Sequence, residues 1–329
     1  MSAAGLKPYL IINLACIFWA GNMTLGRALR DAIGPATIVF GRGLLSLAIL
    51  LVLLRVLEKQ AWPRPGRDFG LLLFMAISGV VGYQGALYWG LHTTDAINAS
   101  LMNSAAPLVT LLMAWLLVRS RIRGLQLGGI LLSMAGIGVI LSSGHPSRLL
   151  ALEFRQGDLL ILGAILLWGG YSIAGQKVMR GRSVLSVTTA ITAISLPIAA
   201  PFGIREMMQG LPELSLLTVG GILYMAVFVG AGALLCWNYA VKSLGPAQAM
   251  ALMNLTPVYT VLMSWVLLGE TMSRYQFAGA ALVVGGCLLA AYAGSRAPAA
   301  PAPGRAAGQA AAQAIQQTAA AGREGETRK

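Results

Sequence analysis

The sequence predicts an all-α integral membrane protein of ten transmembrane helices, arranged as two inverted five-helix repeats. Three observations predict it: long apolar runs, positive charges gathered in alternate connectors, and a motif that recurs after about 150 residues. Of the 329 residues, 57% are hydrophobic and 11% charged. A soluble domain carries about one charged residue in four, and a chain this apolar has too few polar side chains to cover a water-facing surface. The solvent that fits is lipid. The net charge is +13. Its cations lie between apolar runs and in the C-terminal tail, not on one amphipathic face, so the expected partner is a lipid bilayer and not nucleic acid. Cys16, Cys236 and Cys287 each fall in an apolar run, and the histidines are His92 and His145. No disulfide framework, metal or cofactor is expected from that set.

A spanning helix needs about 20 largely apolar residues. The runs that qualify are 9–24, 35–57, 69–91, 96–118, 125–142, 157–177, 184–202, 216–237, 247–268 and 275–293. The first run has no small-residue cleavage motif ahead of a soluble domain and reads as a retained span. Helices are the element required, because open strands would leave backbone groups unpaired in lipid. The domains expected are a cytoplasmic N-terminus (1–8), a first repeat (9–143), a connector (144–156), a second repeat (157–294) and an Ala/Pro/Gly-rich disordered tail (295–329).

With the N-terminus inside, the inner connectors hold Lys7, Arg55, Lys59, Arg64, Arg67, Arg119, Arg121, Arg123, Lys177, Arg180, Arg182 and Lys242, besides the cations of the tail. The outer ones hold Arg27, Arg30, Arg148, Arg155, Arg205 and Arg274. This bias places both termini in the cytoplasm and the chain in a plasma (inner) membrane.

The stretch from Pro107 to Trp115, PLVTLLMAW, matches PVYTVLMSW from Pro257 to Trp265. The match continues at Gln126/Gln276, Gly129/Gly279 and Gly136/Gly286. Trp19-Ala-Gly-Asn22 likewise matches Trp168-Gly-Gly-Tyr171, and Trp89 is paired with Trp237. Five spans per copy is an odd number, so the second copy must enter the membrane from the opposite side. Loss of positive charge in the matching connectors agrees with that inversion. Inverted repeats are a common basis of secondary transporters, with the substrate site near mid-membrane between the halves.

Trp-x-Gly-Asn in span 1, the Pro35…Phe40-x-Arg42 run in span 2 and the paired Ala-Pro and Thr-Pro spans resemble the drug/metabolite transporter superfamily, and its EamA-like branch in particular. The resemblance covers roughly residues 8–294. It implies ten helices, cytoplasmic termini and carrier activity towards small metabolites or amino acids, often as export.

Candidate pathway residues are Trp19, Asn22, Arg42, Gln84, Asn103, Trp168, Tyr171 and Asn254. A cation within a span is costly and faces a cavity or a partner. Arg42 reads as a contact for a carboxylate or a gate, or as a side chain snorkelling from a point about 10 Å inside the helix end. The amides read as ligands for a polar solute or as glue between helices. Trp19 and Trp168 lie deep enough for a cavity, whereas Trp89 and Trp237 are placed in the interfacial belt. Pro107 and Pro257 are expected to kink spans 4 and 9, because each removes the donor for the carbonyl four residues earlier. The Gly-rich faces of spans 5 and 10 permit close packing within the monomer or a homodimer interface.

The function expected is secondary transport of a small polar solute, with an amino acid and export among the options. A phosphate-binding Gly-x-x-x-x-Gly-Lys-[Ser/Thr] loop is absent from the sequence. A membrane enzyme would need clustered His, Asp or Glu at a membrane face, and a non-transporting subunit would leave the repeat and the intramembrane polar groups without a purpose.

Overall fold

The computed structural model describes residues 3–29, 32–59, 62, 66–94, 96–142, 145, 147, 156–210, 215–268 and 273–295. The tail after Ser295, most of the 144–156 connector, Arg64, Asp95 and Glu270 lie outside the described residues. Met1–Gly294 forms one compact unit.

Apolar runs become helices because each backbone donor must find its acceptor within the same segment in lipid. The first half of the chain contributes α1 (Ala3–Leu29), α2 (Pro35–Leu57), α3 (Phe69–Met75), α4 (Tyr83–Thr93), α5 (Ala96–Ser104), α6 (Ala106–Val118) and α7 (Gly124–Ser142). The second contributes α8 (Gln156–Val178), α9 (Val184–Gln209), α10 (Leu216–Tyr224), α11 (Leu234–Leu244), α12 (Pro246–Met253), α13 (Leu255–Leu268) and α14 (Arg274–Ser295). Wider π-helical turns at Ala76–Gly82 and Met225–Ala233 join α3 to α4 and α10 to α11. They occupy matching positions in spans 3 and 8. No strand occurs among the described residues.

Among the described residues, seven helical stretches are long and apolar enough to cross a membrane. They correspond to expected spans 2, 3, 5, 6, 7, 8 and 10. Spans 4 and 9 are each broken, at Ala105 and Asn254, just ahead of Pro107 and Pro257. The cause is the missing proline N–H. At the first break the chain tightens, with Ala105 N–H donating to Met102 O at 2.9 Å. Span 1 forms a helix of 27 residues.

Local signals set the helix ends. Ser183 Oγ accepts from Ser186 N–H at 2.9 Å to start α9, and Ser215 Oγ accepts from Thr218 N–H at 3.1 Å to start α10. Ser273 and Gln276 form a reciprocal box at the start of α14, each side chain accepting from the other's backbone N–H. Gly245 alone links α11 to α12, with φ of 88°, a conformation that only glycine adopts cheaply. Within α9, Thr188, Thr189 and Thr192 return their hydroxyls to carbonyls one turn back, which removes three polar groups from lipid.

Cross-chain contacts sort the connectors into two ends of the bundle. At one end Arg182 pairs with Asp68 at 3.4 Å, Lys242 Nζ donates to Arg182 O, Arg123 Nη1 donates to Ala293 O, and Lys7 lies over the Tyr239 ring. At the other end Thr37 binds Glu206, and Thr94 Oγ1 donates to Asp158 Oδ1. The first group contains connectors assigned inside from the charge pattern, and the second contains those assigned outside.

The packing centre is α8, half of whose most apolar stretch is shielded by other helices, against about a fifth for α2. A second seam joins α7 to α14. There Gly129 faces Gly286 and Gly136 faces Gly279, so closely that a Cβ on Gly136 would stand 2.7 Å from Gly279 O. Residue numbers rise along one helix as they fall along the other, so the two helices run antiparallel. The four glycines are those the repeat pairs, 129 with 279 and 136 with 286. The contact is therefore self-complementary under exchange of the repeats.

The start of α2 is completed by a distant residue. Gly34 precedes it with no side chain to offer. Glu206, near the end of α9, accepts from Thr37 N–H at 2.6 Å and from Thr37 Oγ1 at 2.7 Å. The negative charge also suits the positive end of the helix dipole. Glu206→Ala is expected to cost about 1–3 kcal/mol by leaving these donors unpaired. Glu206→Gln, which keeps an acceptor, should cost less. Thermal denaturation of the detergent-solubilised variants measures the difference.

Candidate functional site

Five aromatic rings from four spans meet inside the bundle. Trp168 is the hub. Its centroid lies 4.9 Å from Tyr171 in a stacked arrangement, 5.1 Å from Tyr83 and 5.5 Å from Trp237. Trp19 meets Trp168 edge-on at 6.1 Å and Trp237 at 5.9 Å. These are favourable separations for offset and edge-to-face pairs. Trp19 and Trp168 are the matching tryptophans of the repeated Trp-x-Gly sequence motif, and they touch.

The polar atoms around the rings divide into satisfied and unsatisfied groups. Tyr171 Oη donates to Asn238 Oδ1 at 2.8 Å, and Asn238 Nδ2 donates to Thr188 Oγ1 at 3.0 Å. This chain ties spans 6, 8 and 7 together. By contrast, Trp168 Nε1, Trp237 Nε1 and Asn22 Oδ1 are buried with no hydrogen-bond partner. Buried polar groups are nearly always paired. Two unpaired donors within the ring cluster, and an unpaired acceptor one turn beyond Trp19 on α1, mark a place suited to a polar ligand.

The structure brings Trp19, Trp168 and Tyr171 together, as the repeat motif suggests. Asn254 goes elsewhere: its Nδ2 donates to Ser133 Oγ at 2.9 Å, joining span 9 to span 5. That is the role of interhelical glue. Asn22 and Gln84 are half-buried, and Asn103 is exposed beside the break in span 4. Arg42 is half-buried. One turn further along, Ser46 Oγ donates to both Arg42 O and Ala226 O. Pro107 is buried and Pro257 half-buried.

The tryptophan pairing needs correction. Trp237 is fully buried, whereas Trp89 is 72% exposed. Span 8 continues to Leu244, seven residues past the end expected from hydropathy. Asn238 and Lys242 interrupt the apolar run, so hydropathy alone sets Trp237 at the membrane surface. Trp237, Tyr83 and Asn238 are the site residues that hydropathy missed. The available signal was a Trp-Asn pair within an otherwise continuous helix.

A chain whose described residues are helical, with seven long apolar helices among them, is a multi-pass integral membrane protein. The model of the EamA-like transporter family matches residues 6–142 and again residues 155–292. The chain belongs to that family. It is 25% identical to the uncharacterized transporter YyaM of Bacillus subtilis, over 87% of this chain and 93% of that one. An uncharacterized transporter of Archaeoglobus fulgidus is 26% identical, over 86% and 96% of the two chains. A probable terminal-alkyne amino-acid exporter of Streptantibioticus cattleyicolor is also 26% identical, over 86% and 93%. A crystal structure with 19% identity superposes with a TM-score of 0.71, covering 88% of this chain and 98% of the other. The family and these relatives are named as transporters, not enzymes.

Proposed function

We propose that this chain is a secondary carrier that exports a small amino acid-like solute across the inner membrane by alternating access. In this reading, ten spans form two inverted five-helix halves with both termini in the cytoplasm. Self-complementary glycine contacts between antiparallel α7 and α14 support the inversion. The excess of cations at the end of the bundle that carries Lys7, Asp68, Arg123, Arg182 and Lys242 supports the orientation.

The observation that carries the proposal is the ring cluster with its unpaired indole N–H groups. Ring faces suit the apolar body of a solute, and two N–H donors suit a carboxylate oxygen. Asn22 Oδ1 offers an acceptor for an ammonium group. Arg42, whose repeat equivalent is the apolar Ile191, provides the asymmetric charge that would draw a carboxylate along the pathway. Gln84 and Asn103 extend that polar route. A relative whose name gives a substrate is a probable terminal-alkyne amino-acid exporter, which agrees with this class of solute.

Purified protein in liposomes is expected to move one or more amino acids down a gradient without nucleotide, measured as counterflow of radiolabelled solutes. Folded protein that moves none of a broad panel of amino acids would overturn the substrate assignment.

A further inference from the structure

The π turn of span 8, Met225–Ala233, is held from two sides. Such turns are rare and recur at functional sites. From α1, Phe18 O accepts from Tyr224 Oη at 3.3 Å, and the Phe18 and Phe228 rings lie 5.2 Å apart. From α2, Ser46 reaches the turn itself. Its hydroxyl lies 2.6 Å from Arg42 O, one turn back, and donates across the interface to Ala226 O at 2.9 Å. Ser46 is 1% exposed. A Cβ on Gly230 would overlap Ser46 Oγ, so glycine there leaves the hydroxyl its room. Thr188, Thr189 and Thr192 hide their hydroxyl protons within their own helix. Ser46 instead also binds a carbonyl of another helix.

We propose that Ser46 is a positioning residue for the solute: through Ala226 O it keeps the span 8 turn in its π form and so sets the rotation of α11. The proposal rests on the reading of the ring cluster as the solute site. Beyond the turn, α11 carries Trp237, whose Nε1 is buried without a partner, and Asn238, which binds Tyr171 and Thr188. A π turn holds one residue more than the α turn it replaces. Its relaxation to α-helix would rotate the following residues by about 100° around the helix axis and move them by about 1.5 Å along it. That rotation takes the Trp237 ring away from Trp19 and Trp168 and parts Asn238 from Tyr171. The indole N–H offered to a carboxylate is thus placed by a serine that acts roughly three helical turns earlier in span 8.

The test is fluorine NMR of the full-length protein carrying fluorotryptophan, beside counterflow in liposomes. Trp237→Phe identifies the Trp237 signal, and Trp89→Phe identifies an exposed reference. Ser46→Ala and Gly230→Ala are each expected to move the Trp237 signal and leave that of Trp89 in place. Each should raise the half-saturating concentration of a radiolabelled mixture of the common amino acids by about tenfold. The double variant should match Ser46→Ala, because both substitutions remove the same hydrogen bond. Ser46→Ala decides alone should Gly230→Ala fail to fold. If Ser46→Ala lowers the melting temperature but leaves either the Trp237 signal or the half-saturating concentration at its wild-type value, Ser46 is structural. The proposal then falls and the carrier reading stands. If the amino-acid mixture undergoes counterflow without moving the Trp237 signal of the wild-type protein, the ring cluster is not the solute site, and that reading falls together with the proposal.

Discussion

Gly136→Val is expected to abolish recovery of monodisperse protein, or to lower its stability by at least ~3 kcal/mol. At this point α7 and α14 touch through backbone. A Cβ on Gly136 would lie 2.7 Å from both Gly279 O and Val283 N and 2.9 Å from Leu282 Cβ. A flexible side chain could rotate away from such a contact, but a backbone carbonyl moves only with its helix. Separating the helices would also open the matching contact between Gly129 and Gly286. Overpacking in a core costs typically ~1–3 kcal/mol, and here the two linked contacts place the expected cost at the upper end or beyond. Gly128 provides the control on the same helix, since a Cβ there meets nothing within 4 Å. Gly128→Ala should be neutral, or stabilising by up to ~1 kcal/mol through helix propensity. Size-exclusion profiles and thermal denaturation in detergent measure both. Equal behaviour of the two variants would remove the seam from the account of the fold.

Trp168→Phe is expected to lower transport by tenfold or more while leaving the folded protein recoverable. Phenylalanine keeps an aromatic ring beside Trp19, Tyr83, Tyr171 and Trp237, but it removes the Nε1 donor that has no partner within the protein. A structural donor would have an acceptor in the resting fold. A donor reserved for a solute costs the empty protein stability, so its removal should be stability-neutral or mildly favourable. For the bound solute, loss of that donor leaves a carboxylate oxygen unpaired in a buried site, which costs about 1–3 kcal/mol. Trp168→Ala is harsher, because it leaves a cavity among four rings and should lose both folding and transport. Counterflow rates normalised to folded protein separate the two effects. If Trp168→Phe transports at the wild-type rate, the indole N–H is not a solute contact.

The positions of the helices were legible in the residues to within a few positions along most of the chain. The breaks at Ala105 and Asn254 were legible too, because a proline removes a donor wherever it falls. The contact between Trp19 and Trp168 was foreshadowed by their places in the repeat motif. Trp237 was misread because hydropathy registers the polarity of Asn238 and Lys242 without regard to their pairing. Asn238 is tolerated within the span because it binds Tyr171 and Thr188. Glu206 was invisible for a related reason: its partner Thr37 lies 169 residues away in sequence.

The amino-acid order alone established the solvent, the helical element, the duplication and the kinked spans. Each follows from a local rule: a segment in lipid must satisfy its own backbone, and proline cannot contribute to that. Tertiary packing decided which polar groups find partners and which are left open towards the centre. That choice depends on the rotation and depth of each helix, and those are set by contacts such as the glycine seam between segments far apart in the chain.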